Sequence, residues 1–356
     1  MDDLDRQLLN HVQTAFPVEA RPYLALAKLT DSTEQEAWQR VQALRQQGII
    51  RRLGGVFDSH RLGYKSTLCA AKVPEDKIQP LADLLLSIPG VTHNYLRNHE
   101  YNMWFTLIAP SEHDVEKTLE QVKEVLGSNE VYSLPATRLF KISVDFDFNP
   151  EKEALESDAR IEQEQEQEHE QVQDKERNYE QSYSPGAWSD GKKPDPYPVD
   201  EEDKSMIRVL QGDLPGTLTP FSDLASELGW DEGTVIERTQ KLLTAGLIRR
   251  FGAVLRHQRA GFTANAMGVW RVPEERAEEL GKIMANIREV SHCYQRPTLP
   301  DWPYTLFTMI HSRSIEGCQE VMERISQATG IQDYDMLFSQ KELKKSSMQY
   351  FVEEDD

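Results

Sequence analysis

The sequence predicts an α+β protein that contains one module twice, each copy being a helix-turn-helix domain followed by a ferredoxin-like βαββαβ domain. The segment GIIRRLGGV at residues 48–56 recurs as GLIRRFGAV at 246–254. The segment VTHNYLR at 91–97 recurs as VSHCYQR at 290–296. Because the matching segments keep their spacing to within a few residues over a whole domain, we interpret the chain as a tandem duplicated module.

Three helices are predicted at the start of each copy, where apolar residues recur at helical spacing. In the first copy the third helix is expected to begin at Ser32, with Gln35 in the capping-box position, and to stop at Gly48. Its counterpart in the second copy is expected from about Asp231 to Gly246. Three helices joined by short turns indicate a helix-turn-helix domain.

After each of these glycines the chain becomes rich in β-forming residues, and strands then alternate with helices. In the first copy Ser111 and Asp114 form a capping pair that predicts the start of the later helix. The order of the predicted elements is that of a ferredoxin-like sandwich. The elements predicted in the first copy are a helix over 76–87, strands over 91–97 and 103–108, a helix over 111–126 and strands over 131–148.

A strongly acidic stretch separates the two copies. Residues 151–204 hold 18 acidic and 7 basic side chains, a net charge of −11 in a chain whose total is −20. The stretch is rich in Glu and Gln and then in Ser, Pro and Gly, without apolar periodicity, which is typical of a linker. The predicted domains are therefore helix-turn-helix domains at 1–60 and 204–258, ferredoxin-like domains at 61–150 and 259–356, and a linker at 151–203.

The composition predicts a cytoplasmic protein without a membrane segment. No run approaches the roughly 18 apolar residues that span a bilayer, and the N-terminus is acidic where a secretory signal is basic. The cysteines Cys69, Cys293 and Cys318 lack C-x-x-C spacing, which disfavours a disulfide framework and a structural zinc site. The signatures of kinases, serine hydrolases and zinc proteases do not occur.

The charges of the predicted third helices disfavour DNA binding, although a helix-turn-helix is typical of transcription regulators. A recognition helix presents its N-terminal residues to the DNA groove, where phosphates repel acidic side chains. We therefore expect no nucleic-acid partner. The acidic residues at these helix starts are Asp31, Glu34 and Glu36 in the first copy and Asp231, Glu232 and Glu237 in the second.

The repeated strand contains a His-x-Tyr-x-Arg pattern whose three side chains point to one face of the predicted sheet. An imidazole that transfers protons, a phenol and a permanent cation on one face suit an anionic ligand. The other interpretation is that these residues pack beneath a helix and recur through duplication alone. We favour a functional site because the whole pattern recurs at matched positions. The first triplet is His93, Tyr95 and Arg97, and the second triplet is His292, Tyr294 and Arg296.

Each copy also contains a pair of arginines just after the predicted third helix. Because neighbouring side chains on a strand point to opposite faces, we expect one arginine of each pair to clamp a carboxylate and the other to hold the helical domain by ion pairs. His257 is a further candidate without a matched partner, since Ser59 lies at its place in the first copy. The pairs are Arg51 with Arg52 and Arg249 with Arg250.

Taken together, these motifs resemble those of the siroheme decarboxylase family. The resemblance lies in GIIRRLGGVFD, GLIRRFGAVLRH and VTHNYLRN, and in KKSSMQYF at residues 344–351. It covers both copies and leaves out the linker. The family is built like the Lrp/AsnC transcription factors but acts as an enzyme, and its members commonly pair two related polypeptides. The resemblance therefore implies a fusion of two such subunits, whose halves pair as a pseudo-dimer.

The resemblance implies a carboxy-lyase that removes two acetate carboxylates of siroheme as CO2 and gives 12,18-didecarboxysiroheme for heme biosynthesis. It implies no separate cofactor, because the iron belongs to the siroheme substrate. His93 and His292 are then the candidate proton donors, and axial contact with the siroheme iron is the alternative role for either. An apolar wall is expected to desolvate the departing carboxylate. The candidates for binding the substrate are Arg51, Arg52, Tyr95, Arg97, Arg249, Arg250, His257, Tyr294 and Arg296.

Two arrangements and two other functions stay open on the sequence alone. The halves either share one active pocket or contain one working site each, and a homo-oligomer is compatible with both. An insertion in the second copy at 297–302, compared with 98–101 in the first, predicts that the halves differ in function. The other functions are a ligand-sensing transcription regulator of the Lrp/AsnC type and a non-catalytic tetrapyrrole carrier.

Overall fold

The structure, a computed structural model, describes residues 1–142, 195–256, 264–299 and 301–352. Most of the predicted linker and the candidate His257 lie outside these described residues. The elements of the first copy are α1 (Asp3–Thr14), α2 (Pro22–Leu29), α3 (Glu34–Gln46), β1 (Ile50–Phe57), β2 (Lys65–Ala71), α4 (Glu75–Ser87), β3 (Val91–Arg97), β4 (Met103–Ala109), α5 (Glu112–Leu126), β5 (Val131–Pro135) and β6 (Arg138–Ile142). The elements of the second copy are α6 (Glu201–Leu210), α7 (Pro220–Leu228), α8 (Glu232–Thr244), β7 (Ile248–Leu255), β8 (Ala264–Trp270), a 3-10 turn (Glu274–Arg276), α9 (Ala277–Ala285), β9 (Val290–Gln295), β10 (Leu306–Ser312), α10 (Ile315–Thr329) and β11 (Tyr334–Lys345).

The predicted fold class is confirmed in both copies. Three helices and one strand are followed by β2-α4-β3-β4-α5-β5 in the first copy and by β8-α9-β9-β10-α10-β11 in the second. The glycines expected to stop the third helices, Gly48 and Gly246, have φ angles of 68° and 70°, a left-handed conformation that glycine adopts without strain. Asp231 and Ser111 cap α8 and α5 as predicted, each accepting a main-chain N–H of the first turn.

The predicted start of α3 at Ser32 is wrong by one residue. Thr33 is the N-cap, and its side chain accepts the Glu36 main-chain N–H at 3.2 Å. Ser32 is still part of the turn that ends α2, because its main-chain N–H donates to the carbonyl oxygen of Ala27 at 3.0 Å. The residue that caps a helix must have left the preceding turn, and Thr33 is the first residue to do so.

The two helix-turn-helix segments contribute to one compact unit, which we name the helical unit and which comprises the described residues 1–56 and 213–255. Its strands β1 and β7 pair as a two-stranded sheet. The chain after α1 bonds to the strand of the opposite copy, since the Phe16 N–H donates to the Phe251 oxygen at 2.8 Å. The reciprocal contact joins the Leu214 N–H to the Leu53 oxygen at 2.7 Å.

The other described residues form the sheet unit, which comprises 57–142, 195–212 and the chain from 256 onward. Its nine strands lie in the order β5-β2-β4-β3-β11-β8-β10-β9-β6. Each copy contributes four strands in the ferredoxin-like order, β5-β2-β4-β3 in the first copy and β11-β8-β10-β9 in the second. The two compact units therefore each combine parts of both copies, so the sequence repeat is not the unit of packing.

The two copies exchange strand ends within the sheet unit. The first part of β11 pairs with β8 of its own copy, and its later part, from Ser339 to Lys345, pairs with β3 of the other copy. In return β6 of the first copy pairs with β9 of the second. The Lys344 ammonium group donates to three carbonyl oxygens at the end of α4 at 2.7 to 3.1 Å, and the Lys141 ammonium group donates to Ile287 O after α9 at 3.1 Å.

An apolar cluster contains strand residues of both copies. Trp104 of the first copy and Trp302 of the second are each 1% exposed, and their ring centroids lie 5.2 Å apart. Trp302 belongs to the loop that is longer in the second copy. The adjoining Asp301 accepts a hydrogen bond from the Tyr101 hydroxyl and forms an ion pair with Lys72 at 2.5 Å. The insertion therefore serves as a contact between the halves.

The end of the chain is fixed to the end of α6 inside the sheet unit. The Tyr350 main-chain N–H donates to Gln211 Oε1 at 2.7 Å, and Gln211 Nε2 donates back to the Tyr350 oxygen at 3.1 Å. The Tyr350 ring also meets the Tyr64 ring edge-on at 5.0 Å between centroids. As a result α6 belongs to the sheet unit, whereas its repeat counterpart α1 belongs to the helical unit.

The described residues also bear on membrane insertion, metal binding and the state of the cysteines. Among the helices that the structure describes, none is both long and apolar enough to cross a bilayer. Within the described ranges, no three His, Cys, Asp or Glu side chains are grouped in a way that holds a metal ion. Cys69, Cys293 and Cys318 are buried free thiols, and burial raises the pKa of Cys293 to about 12 and that of Cys318 to about 11. These cysteines are packing residues with little thiolate character.

Candidate functional site

The first triplet lies on one face of β3, as predicted. The His93 and Tyr95 rings are stacked, with 6.3 Å between centroids and 26° between planes. The Arg97 guanidinium carbon lies 5.5 Å from the centre of the Tyr95 ring, within the range of a cation–π contact. A bulge between Val91 and His93 in the pairing with β4 precedes the triplet.

The second triplet on β9 repeats this geometry closely. The His292 and Tyr294 rings are 6.1 Å apart and inclined by 24°. The Arg296 guanidinium carbon lies 4.8 Å from the Tyr294 ring centre. The prediction that three side chains share one face is therefore confirmed in both copies, and alternation along a strand is the reason.

Both histidines contact the hydroxyl of the preceding residue through Nδ1. The distance is 3.1 Å to Thr92 Oγ1 in the first triplet and 2.9 Å to Ser291 Oγ in the second. Ser291 Oγ also donates to the Met309 carbonyl oxygen at 3.3 Å, so its oxygen accepts from the imidazole. This arrangement favours a proton on Nδ1 of His292, and the other ring nitrogen, Nε2, is then the one that exchanges protons.

The arginine of each triplet bonds to a strand of the other copy. Arg97 is 4% exposed and donates to the Leu337 carbonyl oxygen at 2.8 Å, and Arg296 donates to the Leu134 carbonyl oxygen at 2.5 Å. Neither arginine forms an ion pair with a described residue, and the Nε of each has no hydrogen-bond partner there. Burial lowers the pKa of both guanidinium groups to about 10. A buried cation without a carboxylate is stabilised by an incoming anion.

The two triplets differ in the strand that lies beside them. Beside the first triplet, β11 places Glu342 opposite Tyr95 and Lys345 opposite His93. The Tyr95 hydroxyl donates to Glu342 Oε2 at 3.4 Å. The first triplet therefore has one acidic and one basic neighbour, and both are supplied by the second copy.

Beside the second triplet, β6 supplies two aliphatic side chains of the first copy. Leu139 lies opposite Tyr294 and Ile142 opposite His292 in the strand register. Leu139 is 6% exposed and belongs to a small apolar cluster, against which Ile142 and the Tyr294 ring pack. We name Leu139 and Ile142 the apolar wall.

A cleft of about 550 Å³ opens beside the first triplet. Tyr95 and Glu342 line one part of it, and Asn265 and Ser339 line another. The Oδ1 atom of Asn265 and the Oγ atom of Ser339 are buried and have no hydrogen-bond partner among the described residues. Buried polar atoms of this kind are satisfied when water or a polar ligand enters.

The paired arginines lie in the helical unit, whereas the triplets lie in the sheet unit. One member of each pair holds the backbone: Arg52 donates to the Gly55 oxygen at 3.0 Å, and Arg250 donates to the Ala253 oxygen at 3.0 Å. Burial, together with the neighbouring arginine cations, lowers the pKa of Arg52 to about 10. Arg52 and Arg250 thus contact the main chain a few residues further along their own strands, and which arginine of each pair clamps a carboxylate stays a prediction.

The sequence did not reveal the four residues beside the triplets, because a repeat does not show that its copies exchange strands. These residues are Leu139, Ile142, Glu342 and Lys345. The available signal was the segment that follows β5 in the first copy and that forms the later part of β11 in the second. That segment is RLFKI at 138–142 in the first copy and SQKELKK at 339–345 in the second. The two segments differ in polarity although the strands beside them are closely matched.

The chain matches two protein families along most of its length. The AsnC-like ligand binding domain family matches residues 61–141 and 259–344. The siroheme decarboxylase NirDL-like HTH domain family matches residues 5–51 and 203–249. Each family matches twice, once in each copy of the repeat.

Relatives occur both as single chains and as separate subunits. A siroheme decarboxylase of Hydrogenobacter thermophilus is 34% identical over 98% of this chain and 95% of its own length. A siroheme decarboxylase beta subunit of Methanosarcina barkeri is 50% identical over 42% of this chain and 99% of that subunit. An alpha subunit of Nitratidesulfovibrio vulgaris is 53% identical over 41% of this chain and 82% of that subunit.

Two solved structures resemble this one over nearly the whole chain. The crystal structure of the siroheme decarboxylase NirDL has a TM-score of 0.70 and 29% identity, and it covers 98% of this chain and 95% of the solved one. A second structure of NirDL, in complex with an iron-uroporphyrin III analogue, has a TM-score of 0.69 with the same coverage.

Proposed function

Because this chain belongs to the siroheme decarboxylase family, we propose that it removes two acetate carboxylates of siroheme as CO2 and releases 12,18-didecarboxysiroheme for heme biosynthesis. It is thus a carboxy-lyase in which the two halves act as a pseudo-dimer. The observation that supports this best is the repeated stack of a histidine on a tyrosine beside an arginine that forms no ion pair with a described residue. That arrangement combines a proton donor with a cation that suits a polycarboxylate substrate.

The chemistry requires a proton donor for each acetate that is lost. The bond between the acetate methylene carbon and its carboxylate carbon breaks, CO2 leaves, and the conjugated macrocycle accepts the electron pair. A proton then adds to the methylene carbon and gives a methyl group. His93 and His292 are the candidate proton donors, and in His292 the contact of Nδ1 with Ser291 directs Nε2 to this task.

The remaining carboxylates of siroheme need cations, and the macrocycle needs flat surfaces. Tyr95 and Tyr294 orient the histidines by stacking and present their rings to the macrocycle. His257, outside the described residues, stays a predicted substrate contact. The arginines proposed to bind carboxylates are Arg51, Arg52, Arg97, Arg249, Arg250 and Arg296.

The alternative role of His93 or His292 is axial contact with the siroheme iron. The iron belongs to the substrate, and we propose no separate cofactor. A nitrogen that ligates the iron cannot donate a proton from the same atom. The two roles differ in the absorbance and electron paramagnetic resonance spectra of bound siroheme, since substitution of an axial histidine changes both.

The location and the partners follow from the same proposal. We propose a cytoplasmic enzyme whose partners are siroheme and its product, and whose fused chain is compatible with further homo-oligomers. We propose no nucleic-acid partner, because α3 and α8 begin with acidic residues, which phosphates repel.

The test is anaerobic incubation of the purified full-length protein with siroheme, followed by mass spectrometry of the tetrapyrrole. The wild type is expected to lose two CO2 in succession. His93→Ala and His292→Ala are the informative variants, and general-acid loss lowers the rate by roughly 100- to 10,000-fold. The matched control is His113→Ala on the exposed side of α5, which is expected to turn over at the wild-type rate.

Two results would contradict the proposed function. Tight siroheme binding with an unchanged mass would identify a carrier or a sensor. Retention of full activity by both histidine variants would remove these residues from the chemistry while leaving the overall reaction in place.

A further inference from the structure

The strand exchange makes each triplet a composite of both copies. The second triplet is completed by the apolar wall of the first copy, Leu139 and Ile142. The first triplet is completed by Glu342 and Lys345 of the second copy. Two nearly identical sets of histidine, tyrosine and arginine therefore stand in opposite environments, one aliphatic and one charged.

Decarboxylation responds strongly to this difference. A carboxylate is a localised anion, and an aliphatic environment disfavours it because the environment cannot replace the water that solvated the charge. As the carbon–carbon bond breaks, CO2 becomes neutral and the negative charge spreads into the macrocycle. An apolar wall therefore raises the energy of the bound carboxylate more than that of the transition state, and the barrier falls.

The environment of the first triplet has the opposite effect. A lysine beside the histidine stabilises a localised carboxylate, which keeps the carboxylate in place. Glu342 accepts the Tyr95 hydroxyl, and the cleft of about 550 Å³ with its buried polar atoms adjoins the same side chains. This face suits carboxylates that the enzyme retains.

We propose, on the basis of the proposed function, that both acetates are lost at the second triplet, against Leu139 and Ile142, and that the first triplet binds retained carboxylates of the same substrate. His292 is then the proton donor for both losses. His93 takes part in substrate binding. The substrate presents its two acetates to one face in turn, so it must reorient or rebind between the two losses.

The experiment exchanges the environments of the two triplets. Leu139→Glu and Ile142→Lys give the second triplet the residues that lie beside the first, and Glu342→Leu and Lys345→Ile do the reverse. Each variant of the full-length protein is titrated with siroheme by absorbance and then followed through a single turnover by mass spectrometry. Leu86→Glu, the same substitution at a leucine of α4 that is 58% exposed, is the matched control for Leu139→Glu.

The expected results separate turnover from binding. The Leu139→Glu and Ile142→Lys variants are expected to bind siroheme within about 3-fold of the wild type but to lose CO2 about 100-fold more slowly, with siroheme itself left over. Lys345→Ile, which removes a cation beside the carboxylate, is expected to weaken binding about 10-fold and to slow CO2 loss less than the first two variants do. Glu342→Leu removes an anion and is expected not to weaken binding. Leu86→Glu is expected to retain turnover.

Three results would overturn the inference. Accumulation of the monodecarboxylated product in the Leu139→Glu variant would mean that the first triplet also works. Arrest by Glu342→Leu with no effect of Leu139→Glu would reverse the assignment. Equal losses of binding and turnover in the apolar-wall variants would reduce these residues to a packing role.

Folding and the proposed function are tested separately. Ile142 is partly exposed, so Ile142→Lys is expected to fold even where Leu139→Glu does not, and thermal unfolding checks both. If the wild type itself releases no CO2 from siroheme, the proposed function fails. If the wild type releases two CO2 and the exchanged variants match it, only the assignment of the faces fails.

Discussion

The first and second triplets hold the same residue types at nearly the same distances, and yet their environments have opposite character. Stacking of histidine on tyrosine differs by only 0.2 Å between them, from 6.3 to 6.1 Å. One triplet lies beside Glu342 and Lys345, and the other lies beside the apolar wall. Duplication therefore preserved the geometry of the site, while the chemistry depends on the strand that each copy receives from the other.

The largest expected effect on stability concerns Lys344, which lies on the part of β11 that pairs with the first copy. Lys344 donates to three carbonyl oxygens at the end of α4, and Lys141 donates to the carbonyl oxygen of Ile287 after α9. We expect Lys344→Met to lower the free energy of unfolding by about 3 kcal/mol, measured by urea denaturation, because three carbonyl oxygens lose this donor. The exposed Lys341 on the same strand provides the control Lys341→Met, and equal losses at Lys344 and Lys341 would contradict the expectation.

A smaller effect is expected where β6 packs on α9. A Cβ atom at Gly281 would lie 2.5 Å from the Phe140 ring, whereas the equivalent positions at α4 are Ala82 of the first copy and Leu343 of the second. We expect Gly281→Ala to cost about 2 kcal/mol of unfolding free energy through overpacking. Phe140→Leu in the same chain should recover at least about 1 kcal/mol, because it removes the clash.

A double-mutant cycle checks this prediction by urea denaturation of the two single variants and the double variant. Additive losses would show that the two positions are independent and that the tight contact has no energetic consequence. The cycle also tests whether the combination found at α4, a larger helix residue with a smaller strand residue, is tolerated at α9.

The smallest effect concerns the residue between the histidine and the tyrosine. Asn94 is completely buried and neither its Nδ2 nor its Oδ1 atom has a hydrogen-bond partner among the described residues, whereas Cys293 donates to the Gly281 oxygen at 3.6 Å. We expect Asn94→Cys to raise the free energy of unfolding by about 1 kcal/mol, since it removes an unsatisfied amide. Thermal unfolding measures the change, and a lower melting temperature would mean that a water satisfies this amide.

The fold and the geometry of each triplet were predictable from the sequence because both depend on local rules. Alternation along a strand placed His93, Tyr95 and Arg97 on one face, and capping residues located the start of α5 and α8. The wrong start of α3 is also local, because two neighbouring residues, Ser32 and Thr33, are both able to cap and only the end of α2 decides between them.

The environment of the triplets was not predictable because it depends on which strands meet. The segment at 138–142 is an amphipathic strand in the sequence, and nothing in its composition states that it pairs with β9 of the other copy. The contacts of Arg97 with Leu337 and of Arg296 with Leu134 cross the two copies in the same way. The pairing of strands from different copies is therefore established only by the three-dimensional structure.

The exchange of strand ends has a consequence for gene dosage. A copy present in excess would leave the edge of β3 or of β9 without its neighbour, and an unpaired edge promotes aggregation. Two separate polypeptides with this exchange would have to be synthesised in balanced amounts. In this chain both copies come from one translation event, so the stoichiometry is one to one at any level of expression.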